Sequence, residues 1–238
     1  MRTHSRRAIV AAASAAAALV PAATADAAPK VRQLIAFKNG SAHPKVVRAK
    51  ATKVRVGGKR CVVGAATPLA ALARSKPGKF KIRDYGACSK RAADAAGLYV
   101  VSIRGERARG PNGWVYKVGN RVAPAGAGDP SGPFGRGRLK DKARVTWFYC
   151  RMRGSACQRT LGVKTKALGG GKLRVTVRGY DDRGRGKLVS GATVHAGGKT
   201  AKTGIDGTAT LDVAPGERHV YATKKKLVRS FEEAVEVR

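Results

Sequence analysis

Hydrophobic and polar positions alternate most cleanly in two aromatic segments. In Asn112-Gly113-Trp114-Val115-Tyr116-Lys117-Val118, Trp114, Tyr116 and Val118 share one face. In Val145-Thr146-Trp147-Phe148-Tyr149-Cys150, Val145, Trp147 and Tyr149 do the same. A period of two predicts a β-strand in each. These segments hold both tryptophans, so they are expected to anchor the main core. Upstream, Val46 to Val56 and Lys59 to Val63 flank Gly57-Gly58 and predict a hairpin. Thr67 to Arg74 predicts a short helix, with Thr67 at the N-cap, Pro68 in the first turn and Pro77-Gly78 beyond its end. Phe80 to Tyr85 and Leu98 to Ile103 read as further strands. Residues 45–160 are therefore expected as an α+β domain, a single helix on a mixed β-sheet of β-grasp-like form.

Beyond Gly169-Gly170-Gly171 the pattern changes to short strands broken by turns. Leu173 to Val177, Ala192 to Ala196, Thr208 to Val213, Arg218 to Thr223 and Val228 to Val237 all read as strands, with Asp206-Gly207 and Pro215-Gly216 as turns. Residues 161–171 are expected as a linker and residues 172–238 as a small all-β sandwich. Residues 28–44 read as a poorly ordered lead-in, whose apolar patch Leu34 to Phe37 could add an edge strand.

The start of the chain reads as an export signal. Arg2, Arg6 and Arg7 precede the apolar run Ala8 to Val20, which is too short to span a bilayer, and Ala25-Asp26-Ala27 supplies a small-residue cleavage site. A signal peptide over residues 1–27 predicts a secreted protein, released or held at the cell surface by contacts. Ser5-Arg6-Arg7 also resembles a twin-arginine signal, but paired arginines are common in ordinary signals. No later run is long and apolar enough for a transmembrane helix. Cys61, Cys88, Cys150 and Cys157 make an even count behind that signal, which reads as two disulfides. Three pairings are possible. The sequential one, Cys61–Cys88 and Cys150–Cys157, is preferred. The competing four-cysteine metal site lacks a close C-x-x-C pair.

Charge adds a physical constraint. Lys+Arg number 49 against 14 Asp+Glu, for a formal net charge of +35 spread along the chain. Such a chain binds polyanions through counterion release, strongly at low salt. The expected partners are anionic cell-wall polymers or acidic glycans. No specific nucleic-acid recognition is expected, because no helix-turn-helix, zinc-finger or ribonucleoprotein motif occurs. The charge could equally be a solubilising surface.

Candidate chemistry is sparse. His43, His195 and His219 fall in no nucleophile motif, and no serine sits in Gly-x-Ser-x-Gly. Asp181, Asp182 and Asp206 could contribute to a calcium site, but the positive field opposes it. No catalytic residue, metal ligand or cofactor is assigned, and a non-enzymatic protein is expected. A secreted hydrolase is the alternative without motif support. The long loop between the aromatic strands, Pro124 to Arg138, is the remaining candidate. Phe134, flanked by Arg136 and Arg138, could form a small anion- or ring-binding face. The plainer reading is a flexible loop with Phe134 tucked on the sheet edge.

Residues 46–150 resemble the family of unknown function related to the C-terminal domain of transcobalamin. Thr67-Pro68-Leu69-Ala70-Ala71-Leu72 is similar to its helix. Gly113-Trp114-Val115-Tyr116-Lys117-Val118-Gly119 is similar to its Gly-Trp-x-Tyr-x-Val signature. Leu139 to Trp147 is similar to its Leu-x-x-Gly-Asp-x-Val-x-Trp block, with Lys142-Ala143 in place of Gly-Asp. Gly119-Asn120 replaces the usual Asn-Gly. The resemblance implies a recognition unit and, as an alternative function, a carrier for cobalamin or another small cofactor. Ser190-Gly191-Ala192-Thr193-Val194 and Thr203 to Thr208 resemble carboxypeptidase regulatory-like and bacterial immunoglobulin-like modules, which implies a spacer or adhesive unit.

Overall fold

Short alternating segments separated by glycine turns give a chain built almost wholly of strands. The computed structural model describes residues 28–238, so the export segment expected at 1–27 lies outside the described residues. The first half contains β1 (Lys30–Ala36), β2 (Ala42–Arg48), β3 (Thr52–Val56), β4 (Lys59–Val63), helix α1 (Pro68–Arg74) and β5 (Phe80–Asp84). A 3-10 turn at Ala92–Ala95 leads to β6 (Leu98–Ile103), β7 (Glu106–Arg107), β8 (Gly113–Val118), β9 (Arg121–Val122) and β10 (Arg144–Cys150). The second half contains β11 (Thr160–Gly169), β12 (Lys172–Tyr180), β13 (Gly186–Leu188) and β14 (Thr193–Ala196). It ends with β15 (Lys199–Lys202), β16 (Thr208–Asp212), β17 (Gly216–Thr223) and β18 (Glu233–Val237).

The five-stranded sheet β2-β1-β10-β8-β9 organises the first half. The two aromatic strands pair antiparallel, with Trp114 opposite Tyr149, Tyr116 opposite Trp147 and Val118 opposite Val145. Trp114 and Tyr149 meet edge to face with ring centroids 6.1 Å apart, and Tyr116 and Trp147 lie 5.2 Å apart. Such pairs add roughly 0.5–1.5 kcal/mol beyond area burial. Three of the four polar tips are satisfied: the Trp114 indole N–H donates to the Glu106 carbonyl at 2.7 Å, the Tyr116 hydroxyl to that of Ala125 at 2.7 Å and the Tyr149 hydroxyl to that of Arg107 at 3.0 Å, while the Trp147 indole N–H has no partner among the described residues. Helix α1 packs Leu69, Ala70, Ala71 and Leu72 into the same core. Its N-cap is Thr67, whose Oγ1 accepts from the Ala70 N–H at 3.2 Å.

The expected α+β class is corrected by these strands. One helix of seven residues does not form a helical layer, and the described residues are mostly β, divided among five sheets. Nor do residues 172–238 stand as the expected compact sandwich. The second half is two four-stranded sheets, and one of them draws its edge strand β11 from the stretch expected to be a linker. One sheet runs β11-β12-β13 with β16 also on β12, and the other runs β15-β14-β17-β18. The alternating Leu173, Val175 and Val177 of β12 meet Val194, Val220 and Ala222 in one apolar cluster.

The segment 28–44, expected as a poorly ordered lead-in, also differs. β1 lies inside the sheet, antiparallel to β2 and parallel to β10, with Ile35 opposite Trp147. Val46 and Val47, expected in the first hairpin, belong to β2, and the hairpin begins at Thr52. Both disulfides follow the sequential pairing, Cys61–Cys88 and Cys150–Cys157.

Because β10 pairs on both edges, its two faces are decided by alternation. Val31, Gln33 and Ile35 of β1 share the face of Val145, Trp147 and Tyr149, which looks into the first core. Gln33 is 1% exposed, and neither atom of its amide has a hydrogen-bond partner among the described residues. An unpaired buried polar group costs about 1–3 kcal/mol. Gln33→Met should therefore raise stability by about 1 kcal/mol or more, read as a higher urea midpoint with an unchanged slope. A lower midpoint would mean that the amide is paired.

Candidate functional site: a basic cleft at the junction of the two halves

The second face of the central sheet carries Val115 and Lys117 of β8 and Phe148 and Cys150 of β10. It is covered by the second half of the chain. Val228 packs with Ala36, Phe148 and Cys150 in a separate apolar cluster. Lys117 is fully buried there. Its ammonium donates to the Tyr180 carbonyl at 2.9 Å, to the Asp181 carbonyl at 2.9 Å and to Thr160 Oγ1 at 3.2 Å. Asp182 Oδ1 stands 4.0 Å away. Three donors therefore meet three oxygens, all supplied by residues beyond β10. Burial pulls the Lys117 pKa down to about 8, while Asp182 and Asp181 oppose that shift. Nearby, Glu233 receives Arg32 at 2.9 Å and also pairs with Arg144. The Phe231 ring sits 5.5 Å and 5.0 Å from those two guanidinium carbons.

Beside this junction opens a cleft of about 780 Å³, within the size range of ligand sites. Four segments bring its charge. The end of β1 and the following turn bring Lys38, the end of β10 brings Arg151 and Arg153, the end of β15 brings Lys202, and the segment leaving β17 brings Lys224, Lys225, Lys226 and Arg229. That makes eight basic side chains, and the lining contains no Asp or Glu. Within a low-dielectric concavity such a set focuses a positive potential.

Local structure fixes several of these groups. The Cys150–Cys157 disulfide closes the short loop that carries Arg151 and Arg153. The Gln158 amide donates to the Tyr149 carbonyl at 2.6 Å, and the Arg151 N–H donates to Gln158 Oε1 at 2.9 Å. The Lys38 ammonium lies 3.6 Å from the Tyr149 ring centroid. Arg229 covers the Tyr221 ring at 4.0 Å and pairs with Glu232 at 3.0 Å. His195 stacks on Tyr221, at 4.5 Å and 7° between planes. Burial, with Arg229 adding repulsion, lowers the His195 pKa. Lys224 donates to the Ser190 carbonyl, and Lys226 turns the chain with φ +67°, a conformation that favours glycine.

The loop singled out in the sequence lies elsewhere. Phe134 is half-buried against the first core, and the Arg121 guanidinium carbon sits 5.0 Å from its ring centroid. Arg138 donates through Nε to the Pro130 carbonyl at 3.0 Å, and Arg136 is exposed. None of the three lines the cleft.

The remaining candidates are separated. His43 contacts the Ser75 carbonyl at 3.1 Å, and His219 stands 3.7 Å from Glu217. The Asp181 carboxylate accepts from the Arg183 and Arg185 backbone at 3.0 and 2.8 Å, and hydrogen bonding to Arg185 lowers its pKa. Asp206 is held by Thr208, whose hydrogen bonds lower its pKa too. Among the described residues no group of three or more His, Cys, Asp or Glu side chains gathers in metal-binding proximity. Among the same residues no helix is long and apolar enough to cross a membrane. Trp114 and Trp147 are each 1% exposed, so neither offers a face to a ligand.

No family model, no curated protein and no solved structure matches this chain.

The junction yields a pH prediction. Lys117 has a folded pKa of about 8 against an ordinary 10.5. Between those values the unfolded chain holds a proton that the native chain has released, so native stability rises with pH through this window. The gain is complete above the unfolded pKa and is lost as pH falls through the folded one. Lys117→Met should flatten this rise relative to the parent chain, measured as urea stability at pH 7.5 and pH 10. An equal rise in both proteins would place the titration elsewhere.

Proposed function

We propose that this is a secreted, non-enzymatic binding protein, and that the basic cleft at the junction holds anionic extracellular polymers such as wall polymers or acidic glycans. The observation that carries this reading is the lining itself: eight cationic side chains from four segments of the chain, with no acidic group among them. A surface that is merely soluble has no need to gather like charges into one concavity, where each raises the cost of the next. An anionic chain lying in the cleft relieves that repulsion and releases its counterions.

The two disulfides and the leading residues support an extracellular setting. The resemblance to the transcobalamin-related family supports a recognition role for the first half. Cobalamin carriage rests on that resemblance alone. Arg136 and Arg138, outside the cleft, contribute to polymer binding through the general field, and Phe134 packs inward under Arg121.

Retention of the mature chain on an anionic matrix should fall linearly with salt on a log–log plot. Replacing Lys225 and Lys226 with serine should reduce that slope by about 2 if both contact anionic groups. Replacing Arg136 and Arg138, an equal change in charge, should reduce it by less than about 1. Equal effects of the two pairs would assign retention to net charge and remove the cleft from the reading. Salt-insensitive retention would overturn the reading itself.

A further inference from the structure

We infer that the cleft is shaped for one class of polyanion, a linear phosphodiester chain without aromatic bases, such as a polyol phosphate. The inference rests on the polyanion reading above and narrows it.

Aromatic surface is the first discriminator. Proteins that grip single-stranded nucleic acid stack its bases on exposed rings, each worth about 1–3 kcal/mol. The rings at this cleft offer no such platform. Phe148 is 1% and Tyr149 5% exposed, and Lys38 already occupies the Tyr149 face. Phe37 lies half-buried, with Trp114 at 5.9 Å and the Arg104 guanidinium at 5.1 Å. Tyr221, just behind, is enclosed between Arg229 and His195. A base or a planar sugar face entering the cleft would lose water and gain no stacking partner.

The cations are the second discriminator. The planar arginine fork meets two oxygens of a carboxylate or a phosphate at once, whereas lysine, a common phosphate binder, acts as a point charge with rotatable donors. Five of the eight cleft cations are lysines. Of the arginines, Arg229 is engaged by Glu232 and Tyr221, and Arg151 reaches the Lys38 carbonyl at 3.4 Å. Arg153 is the one cleft arginine whose guanidinium has no protein hydrogen-bond partner among the described residues. Point charges on both walls suit single negative charges spaced along a thin, flexible chain. A recessed cleft also favours a chain over the flat surface of a bilayer.

The backbone at Lys226 adds a means of testing. Its φ of +67° costs a lysine conformational energy that glycine would not incur. Lys226→Gly therefore removes one cleft charge while relaxing the turn, so a loss of binding cannot be attributed to unfolding.

The experiment compares four probes of matched charge at one salt concentration, using the mature chain: poly(glycerol phosphate), single-stranded oligo-dT, poly-glutamate, and phosphatidylglycerol vesicles. Poly(glycerol phosphate) should bind at least about tenfold tighter than each of the others. Lys225→Ser with Lys226→Gly should weaken it about tenfold or more, at an unchanged or higher unfolding midpoint, and Lys202→Ser, on β15 of the same sheet as β17, should weaken it too. If oligo-dT, poly-glutamate or vesicles bind as tightly, the phosphodiester assignment is overturned while the polyanion reading stands. Should the polymer bind but ignore all three substitutions, the cleft is the wrong site. If no probe is retained, the polyanion reading fails and takes the inference with it.

Discussion

A sheet with both faces apolar must be covered on both. That requirement governs this molecule. Alternation along β10 sends Val145, Trp147 and Tyr149 into the first core, and it sends Phe148 and Cys150 the opposite way. The second set has no cover in the first half. It is met by Val228 and, beside it, by the carbonyls of Tyr180 and Asp181 that receive the buried Lys117. A charged ammonium taken out of water costs several kcal/mol unless its donors are satisfied. The first half therefore cannot leave the second without exposing apolar surface and breaking the three hydrogen bonds of Lys117. Lys117 adds direction to that dependence, because its three oxygen partners stand at fixed places around the turn after β12 and at the start of β11.

The cleft follows from the same docking. Its walls are the rim of the central sheet on one side and the segment leaving β17 on the other, so it exists only while the halves are joined. The Cys150–Cys157 bridge holds the first wall in place by closing a short loop at the end of β10. Tyr221 and His195 brace Arg229 on the second. Like charges brought this close repel, and the packing at the junction must carry that cost in the free protein. A bound polyanion would return it, so ligand binding and docking of the halves should reinforce one another.

Much of the local structure was legible in the sequence. Trp114, Tyr116 and their partners show a strict period of two, and Thr67-Pro68 marks the helix start through capping chemistry alone. The cysteine pairing was legible because short loops close most readily. β1 was not, since its place inside the sheet depends on a parallel partner more than a hundred residues away. Its own residues mix lysine and arginine with a short apolar patch, which reads as an edge at best. β11 was hidden for a related reason: Lys164 and Lys166 lie on a strand that the glycine run after it made look like a linker. The α+β expectation failed because one well-capped helix turn counts heavily in a sequence and little in a fold. The cleft was the least visible feature. Its lysines come from three segments, and only the run Lys224-Lys225-Lys226 stands out locally, in a chain where basic residues are everywhere. The loop at Phe134 drew attention through its length and composition, yet its aromatic ring packs inward against the first core, beneath Arg121.

The most direct test of the account is a hydrogen-exchange footprint of residues 28–238 with and without poly(glycerol phosphate). Docked halves gripping one polymer predict slowed exchange in three places together: residues 36–40, residues 149–153 and residues 223–229. Protection confined to residues 130–138, or spread evenly over the basic surface, would contradict the claim that the junction makes the binding site.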